Sequence, residues 1–340
     1  MASKKRISVA IKNSGAVSLK LPTQDELDQM DLSDTLTNPV VLGFMEGFAA
    51  KQYCDENLKF FIQVQQWLDA FSTKDENDIA EGAIKIYDGF ICKNASTEIC
   101  LSSTARAAIE SRLKQKPVEN TIFDGALEEV CETLERDVFL RFKASDDIKV
   151  LRELLGMKRS ADDVLSHFHR IGVMPDTLFN TDPNFKVSNI DFDDVPLDLV
   201  LKDKYMVRVF TAYLAKLHAA ENVMFVLSVN GFKKLFKKKD ETTREVAWLI
   251  YVTFVSESSE YQVSTDRFER LKIALLLGNP SIDMFDKVSQ DCYALQQSQY
   301  IDFKQSDDYK SLEKALNDGK KQIENGRASP SPRSSTCIAF

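Results

Sequence analysis

A stripe of apolar residues that occurs twice constrains this chain more than any other feature. After Asn57 the apolar positions are Phe60, Phe61, Val64, Trp67, Leu68 and Phe71. Steps of three and four put them on one side of an α-helix. After Asn222 the positions Phe225, Val226, Val229, Phe232 and Phe236 fall at the same offsets, again behind a Glu-Asn pair. A helix that buries such a stripe needs other helices to cover it, and a chain with two such helices needs two cores.

Other landmarks follow the same register. Ile86-Tyr87 with Phe90 matches Ile250-Tyr251 with Phe254, Phe123-Asp124 matches Phe285-Asp286, and Phe142 matches Phe303. The separation drifts from 165 residues at the Asn pair to 161 at the last Phe, as small loop deletions in a duplicated domain would produce. Each copy spans roughly 120 residues, an ordinary domain size. The 340 residues suffice for two cores. No stretch alternates with period two, and the few Gly and Pro fall at element ends, so the expected fold is all-α: two tandem helical bundles joined by a partly helical connector.

The expected organisation begins with a basic arm over residues 1–20 (Lys4, Lys5, Arg6, Lys12, Lys20, with no acid). The first domain covers 21–145. Its helices start at Pro22-Thr23-Gln24-Asp25-Glu26, at Pro39, after Asn57, near Ile79, at Ser102 or Ser103, and near Phe123. Residues 146–194 form a connector, of which 175–194 read as a proline-bearing linker. The second domain covers 195–315, and a Ser/Pro-rich tail covers 316–340.

Charge and composition exclude several classes. A net charge of −8 argues against a nucleic-acid binder, which needs a basic footprint. The longest apolar run, Val246 to Val255, is half of what spans a bilayer. Six cysteines without a C-x-x-C pair suggest reduced, mostly buried thiols and a cytoplasmic setting. No phosphate loop, G-x-S-x-G or H-E-x-x-H is present. His167 and His169 point to different sides of a helix. The Asp191-Asp193-Asp194 cluster has Pro196 and Lys202 where a calcium loop needs Gly and Glu. The chain is therefore read as having no active site of its own, no cofactor and no metal.

Tyr53, Glu56 and Asn57, then Ile86-Tyr87-x-x-Phe90, Glu98-Ile-Cys-Leu-Ser102, Phe123-Asp-x-Ala126 and Glu135-Arg-Asp-Val-Phe-Leu-Arg-Phe142 together resemble the regulator-of-G-protein-signalling (RGS) domain. Residues 195–312 resemble a second, divergent copy. The resemblance implies a nine-helix bundle that binds the GTP-bound or transition-state form of a heterotrimeric G-protein α subunit. Such a domain speeds GTP hydrolysis by holding the switch segments of Gα, contributing no residue to the phosphates. It implies a Gα surface at Tyr53, Glu56, Asn57, Cys100, Leu101, Asp137 and Arg141. Cys100 departs from the family, which often has Asn there, and a thiol is a poor hydrogen-bond partner. In the second copy His218 stands for Tyr53, Ser264 for Cys100, Ser298 for Asp137 and Asp302 for Arg141, while Glu221-Asn222 remain. The expectation is a folded second domain that does not bind Gα in the usual way and supports the first domain or binds something else. The alternative function is a scaffold that holds Gα at a membrane without accelerating hydrolysis.

Cys337-Ile-Ala-Phe340 has the form of a C-a-a-X ending, with a final Phe that suggests geranylgeranylation of Cys337. One lipid chain is a marginal anchor. The basic arm and the cluster Lys233, Lys234, Lys237, Lys238 and Lys239 are candidate helpers at a cytoplasmic membrane face. For the lysine cluster, stabilisation of a helix C-terminus is the simpler reading.

Overall fold

The computed structural model describes residues 19–71, 73–157, 160–173 and 195–314. The basic residues 4–12, the linker 175–194 and the tail with Cys337 lie outside the described residues. Every regular element among the described residues is helical, in agreement with the all-α expectation. No helix among them is long and apolar enough to cross a membrane.

The first copy opens with α1 (Gln24–Gln29) and α2 (Leu32–Thr37). Both begin with reciprocal capping boxes, Thr23 with Glu26 and Asp31 with Asp34, which satisfy orphan N–H groups at each end. Helix α3 (Pro39–Lys51) starts on the Asn38 side chain, with Pro39 at its first position. It is buried along most of its length. Helix α4 (Glu56–Ala70) carries the opening stripe, and Phe60, Phe61, Val64 and Trp67 are all buried. Trp67 spends its N–H on the Ile79 carbonyl at 2.9 Å, so a large side chain enters the core without an orphaned donor.

The periodicity predicts one helix through Ile91, but α5 (Glu76–Ile86) gives way to a π turn over Tyr87–Ile91. That turn closes with the Cys92 amide donating to the Tyr87 carbonyl at 2.8 Å. On this wider turn Phe90 lies 5.8 Å from Phe60, in an edge-on ring contact. Helices α6 (Ser103–Leu113), α7 (Asp124–Arg136), α8 (Val138–Lys143) and α9 (Asp146–Gly156) complete the run. Ser102 supplies the cap of α6.

After α10 (Ala161–Arg170) the second copy repeats the series: α11 (Leu197–Lys202), α12 (Lys204–Lys216), α13 (Ala220–Lys237) and α14 (Thr243–Ile250). A π turn over Tyr251–Val255 follows, then α15 (Arg267–Leu276) and α16 (Asp286–Gln305). The π turn recurs with the same closing bond, Ser256 to Tyr251 at 2.8 Å. Ring pairs recur as well: Phe48 with Phe142 at 5.9 Å, and Tyr213 with Phe303 at 5.1 Å. So do ion pairs: Lys51 with Asp147 at 2.6 Å, and Lys216 with Asp308 at 2.8 Å.

The chain divides into two compact units that do not follow the copies. One gathers Met1–Asp162 with Leu235–Phe285, and the other gathers Asp163–Lys234 with Asp286–Phe340. The first unit therefore holds the whole first copy together with α14, α15 and the π turn between them. Within it α15 packs on α3, and α9 packs on α3, α1 and α8. In the second unit α12 packs on α11 and α16. There Phe210, Tyr300, Phe303 and Tyr309 form a ring cluster, and the Tyr300 hydroxyl donates to the Val195 carbonyl at 2.7 Å.

Of the five cysteines described, Cys131 and Cys292 are buried, Cys54 and Cys92 are half-buried and Cys100 is exposed. The expectation of mostly buried thiols holds for two of them. Burial pushes the Cys131 and Cys292 thiols up to about 12, so they behave as small apolar groups.

Candidate functional site

Helix α3 ends at Lys51, and the chain must reverse before α4 begins at Glu56. It does so through Tyr53 at φ 54°, a left-handed conformation that a bulky residue rarely takes. The turn is held by amides donating back into α3: Gln52 to Ala49 at 3.0 Å, Tyr53 to Ala50 at 3.2 Å and Cys54 to Ala49 at 3.0 Å. The result throws the Tyr53 ring outward, 95% exposed. The left-handed backbone thus presents an aromatic side chain to solvent.

Glu56 and Asn57 open α4. Asn57 is buried and its amide donates to the Glu56 carboxylate at 3.4 Å, so the amide steers the half-buried acid. Asp55 occupies the cap position without a side-chain cap bond. It pairs instead with Lys59 at 2.7 Å, and that bond raises the Lys59 pKa. On α3, burial and then the neighbouring Asp55 charge raise the Glu46 carboxyl pKa.

Asp137 lies at a break. Its φ and ψ of −127° and −76° interrupt the helix between α7 and α8. From that break its carboxylate receives two bonds from Arg141, from Nε and from Nη2, each 2.8 Å. This fork holds the Asp137 carboxyl below the usual carboxylate range and raises Arg141. Arg141 Nη2 also reaches Cys54 Sγ at 3.5 Å, across 87 residues of sequence. That contact ties the Tyr53 turn to α8, and sequence reasoning missed Cys54. A residue that is neither on the apolar stripe nor charged leaves no pattern to read.

Cys100 is exposed and Leu101 half-buried, on the loop that leads into α6. Their connection to α4 runs through the core. The Ile99 amide donates to the Phe90 carbonyl at 2.9 Å, and Phe90 packs on Phe60. The next residue, Ser102, is fixed by bonds from its amide and hydroxyl to Glu129 at 2.8 and 2.6 Å. The structure thus joins Tyr53, Cys54, Glu56, Asn57, Asp137 and Arg141 in one corner. It holds Cys100 and Leu101 on a separate loop braced by the same bundle.

The second copy keeps the backbone of this corner. His218 stands at φ 52°, and the Leu217, His218 and Ala219 amides donate back to Leu214 and Ala215 at 3.0 to 3.1 Å. Asn222 is buried and donates to Glu221 at 3.2 Å. The chemistry around it differs. Ser298 and Asp302 lie exposed on α16, which runs unbroken past the position of Asp137.

Comparison with known proteins agrees with both copies. The family described as regulator of G protein signaling domain matches residues 31–147 and again 196–312. Regulator of G-protein signaling 13 of Mus musculus is 25% identical over 135 residues, 38% of this chain and 84% of that relative. Regulator of G-protein signaling 10 of Rattus norvegicus is 34% identical over 112 residues, 33% of this chain and 60% of that relative. Regulator of G-protein signaling rgs-2 of Caenorhabditis elegans is 29% identical over 114 residues, 33% of this chain and 66% of that relative. The chain thus spans less than two thirds of the length of the last two.

Proposed function

We propose a function for a chain that belongs to the regulator of G protein signaling domain family: it binds the active α subunit of a heterotrimeric G protein through the Tyr53 corner and accelerates GTP hydrolysis there. The carrying observation is the Arg141 side chain, which bonds Asp137 and Cys54 together. That bridge joins α8 to the turn that presents the Tyr53 ring and leads into the Glu56-Asn57 pair. A surface ordered before its partner arrives loses less entropy on binding, and it can favour the switch conformation of the transition state over that of the ground state. No group of this chain enters the chemistry, so the expected signature is a faster hydrolysis step on the partner.

Single-turnover GTP hydrolysis by Gα, with and without the full chain, tests this. Acceleration should be lost with Glu56→Lys, which reverses a charge at the corner. Equal rates with wild type and Glu56→Lys would sink the proposal.

One observation favours a second reading. Cys100 is an exposed thiol where the family often has Asn. A surface lacking that hydrogen-bonding side chain can hold Gα while contributing less to the switch geometry. Binding to activated Gα without acceleration would select this scaffold role. Attachment to a cytoplasmic membrane face by a lipid on Cys337 belongs to the same proposal, and intact mass of the chain from eukaryotic cells tests it.

A further inference from the structure

Helix α3 leads directly into the Tyr53 turn, and the element packed most closely on it comes from the second copy. Gly43 and Gly47 of α3 face Leu275 of α15 and Gly278 just past its end. A Cβ on Gly43 would run into the Leu275 backbone, and one on Gly278 into the Gly43 backbone. A Cβ on Gly47 would lie 2.9 Å from the Gly278 backbone. Backbone thus meets backbone here, an approach that only glycine permits.

A second contact reaches the C-terminal end of α3. Arg244, at the start of α14, donates from Nη1 to Asp147 at 3.0 Å and lies 5.9 Å from the centre of the Phe44 ring. Asp147 is also the partner of Lys51, the last residue of α3. With Arg244 over it, the Asp147 side chain is 12% exposed, against 31% for Asp308 in the corresponding pair of the second copy. A half-buried acid between two cations is a firmer tether than an exposed pair.

We propose that residues 235–285 of the second copy are a built-in brace for the interface corner of the first. Gly43 and Gly278 set the height of α3, and Arg244 fixes its end through Asp147 and Lys51. All three are positioning residues. The left-handed Tyr53 turn hangs on carbonyls of the last turn of α3, so that turn keeps its shape only while the end of α3 is held. The proposal accounts for a second copy that keeps its core while its own corner loses Asp137 and Arg141. What the braced corner binds rests on the Gα reading above; that the corner is braced does not.

The test uses the full chain with Arg244→Gln, Arg244→Lys and Gly278→Ala. Amide hydrogen exchange followed by mass spectrometry reports on Gln52, Tyr53 and Cys54, with α7 as internal reference. Arg244→Gln should speed exchange in the Tyr53 turn by about fivefold or more while α7 is unchanged. Arg244→Lys should restore most of the protection, and Gly278→Ala should act in the same direction as Arg244→Gln. Unchanged exchange in the turn, or equal acceleration in turn and reference, overturns the brace. If Gly278→Ala does not fold, Arg244→Gln decides alone, since that change removes the charge of a partly exposed side chain without adding bulk. Exchange is read without Gα, so a chain that fails to accelerate GTP hydrolysis defeats the functional proposal while the brace is judged separately. Where acceleration is present, the affinity for activated Gα should fall with the loss of protection and return with Arg244→Lys.

Discussion

The two copies of one domain in this chain agree where side chains are buried and part where they are exposed. Tyr53 and His218 share a left-handed turn, and the Glu56-Asn57 and Glu221-Asn222 pairs share a hydrogen bond. Yet the first copy breaks its helix at Asp137 and forks Arg141 onto it, while the second runs α16 straight past Ser298 and Asp302. Burial explains the asymmetry. Replacing a core ring costs several kcal/mol wherever it sits, whereas a substitution at an exposed position usually costs about 0.5 kcal/mol or less. Under the function proposed above, the partner surface belongs to the first copy and the second has a structural role.

If the cores are equivalent, Phe142→Ala and Phe303→Ala should each lower the unfolding free energy by about 3–5 kcal/mol, read by urea denaturation. Both rings are fully buried in aromatic neighbours. A much smaller loss at Phe303 would break the equivalence. At the surface the copies should behave oppositely. Arg141→Asp, which installs the residue of the second copy, should weaken binding to activated Gα by about 30-fold or more, as loss of an arginine anchor does. Asp302→Arg in the second copy should change nothing measurable. The pH dependence follows from the fork. Arg141 holds the Asp137 carboxyl low, so the pair is complete above the ordinary carboxylate range and is lost only as pH falls through the depressed value. Binding should therefore lose nothing from this pair between about pH 8 and pH 5.

A smaller effect is expected at Cys100. Cys100→Asn should raise the single-turnover rate with Gα by roughly three- to tenfold, the worth of one added hydrogen bond. No change would show that this loop does not govern the switch contact. Smallest of all is Glu46 on α3. Burial, then Asp55, raises its pKa, so the folded state holds that proton more tightly than the unfolded chain does. Stability is then lost as pH rises through the raised value. Glu46→Gln should raise the melting temperature by about 1–3 °C at neutral pH. The gain should vanish below about pH 4, where the carboxyl is protonated in both states.

Much of the fold was legible because helix formation is local. The stripes after Asn57 and Asn222, the helix start at Pro22-Thr23 and the proline opening α3 lie where the sequence places them, and of the two serines it offers as the cap of α6 the structure uses Ser102. The π turns were not legible. Their apolar residues keep a helical spacing, and the bonds from Ile99 to Phe90 and from Val263 to Phe254 that meet the wider turns come from loops further along the chain. Within the candidate site the residue types and their order pointed to Tyr53, Glu56, Asn57, Asp137 and Arg141. Cys54 gave no sign, because its role is a single contact to a side chain far along the chain.

By itself, the sequence determined the helices, their duplication and the family, since each rests on periodicity or order that neighbouring residues carry together. Tertiary structure alone decided that α15 of one copy lies on α3 of the other, that Arg244 reaches Asp147 and that Arg141 reaches Cys54. Each is one close approach between distant segments. Such an approach depends on the whole path of the chain between them and leaves no repeat in the sequence.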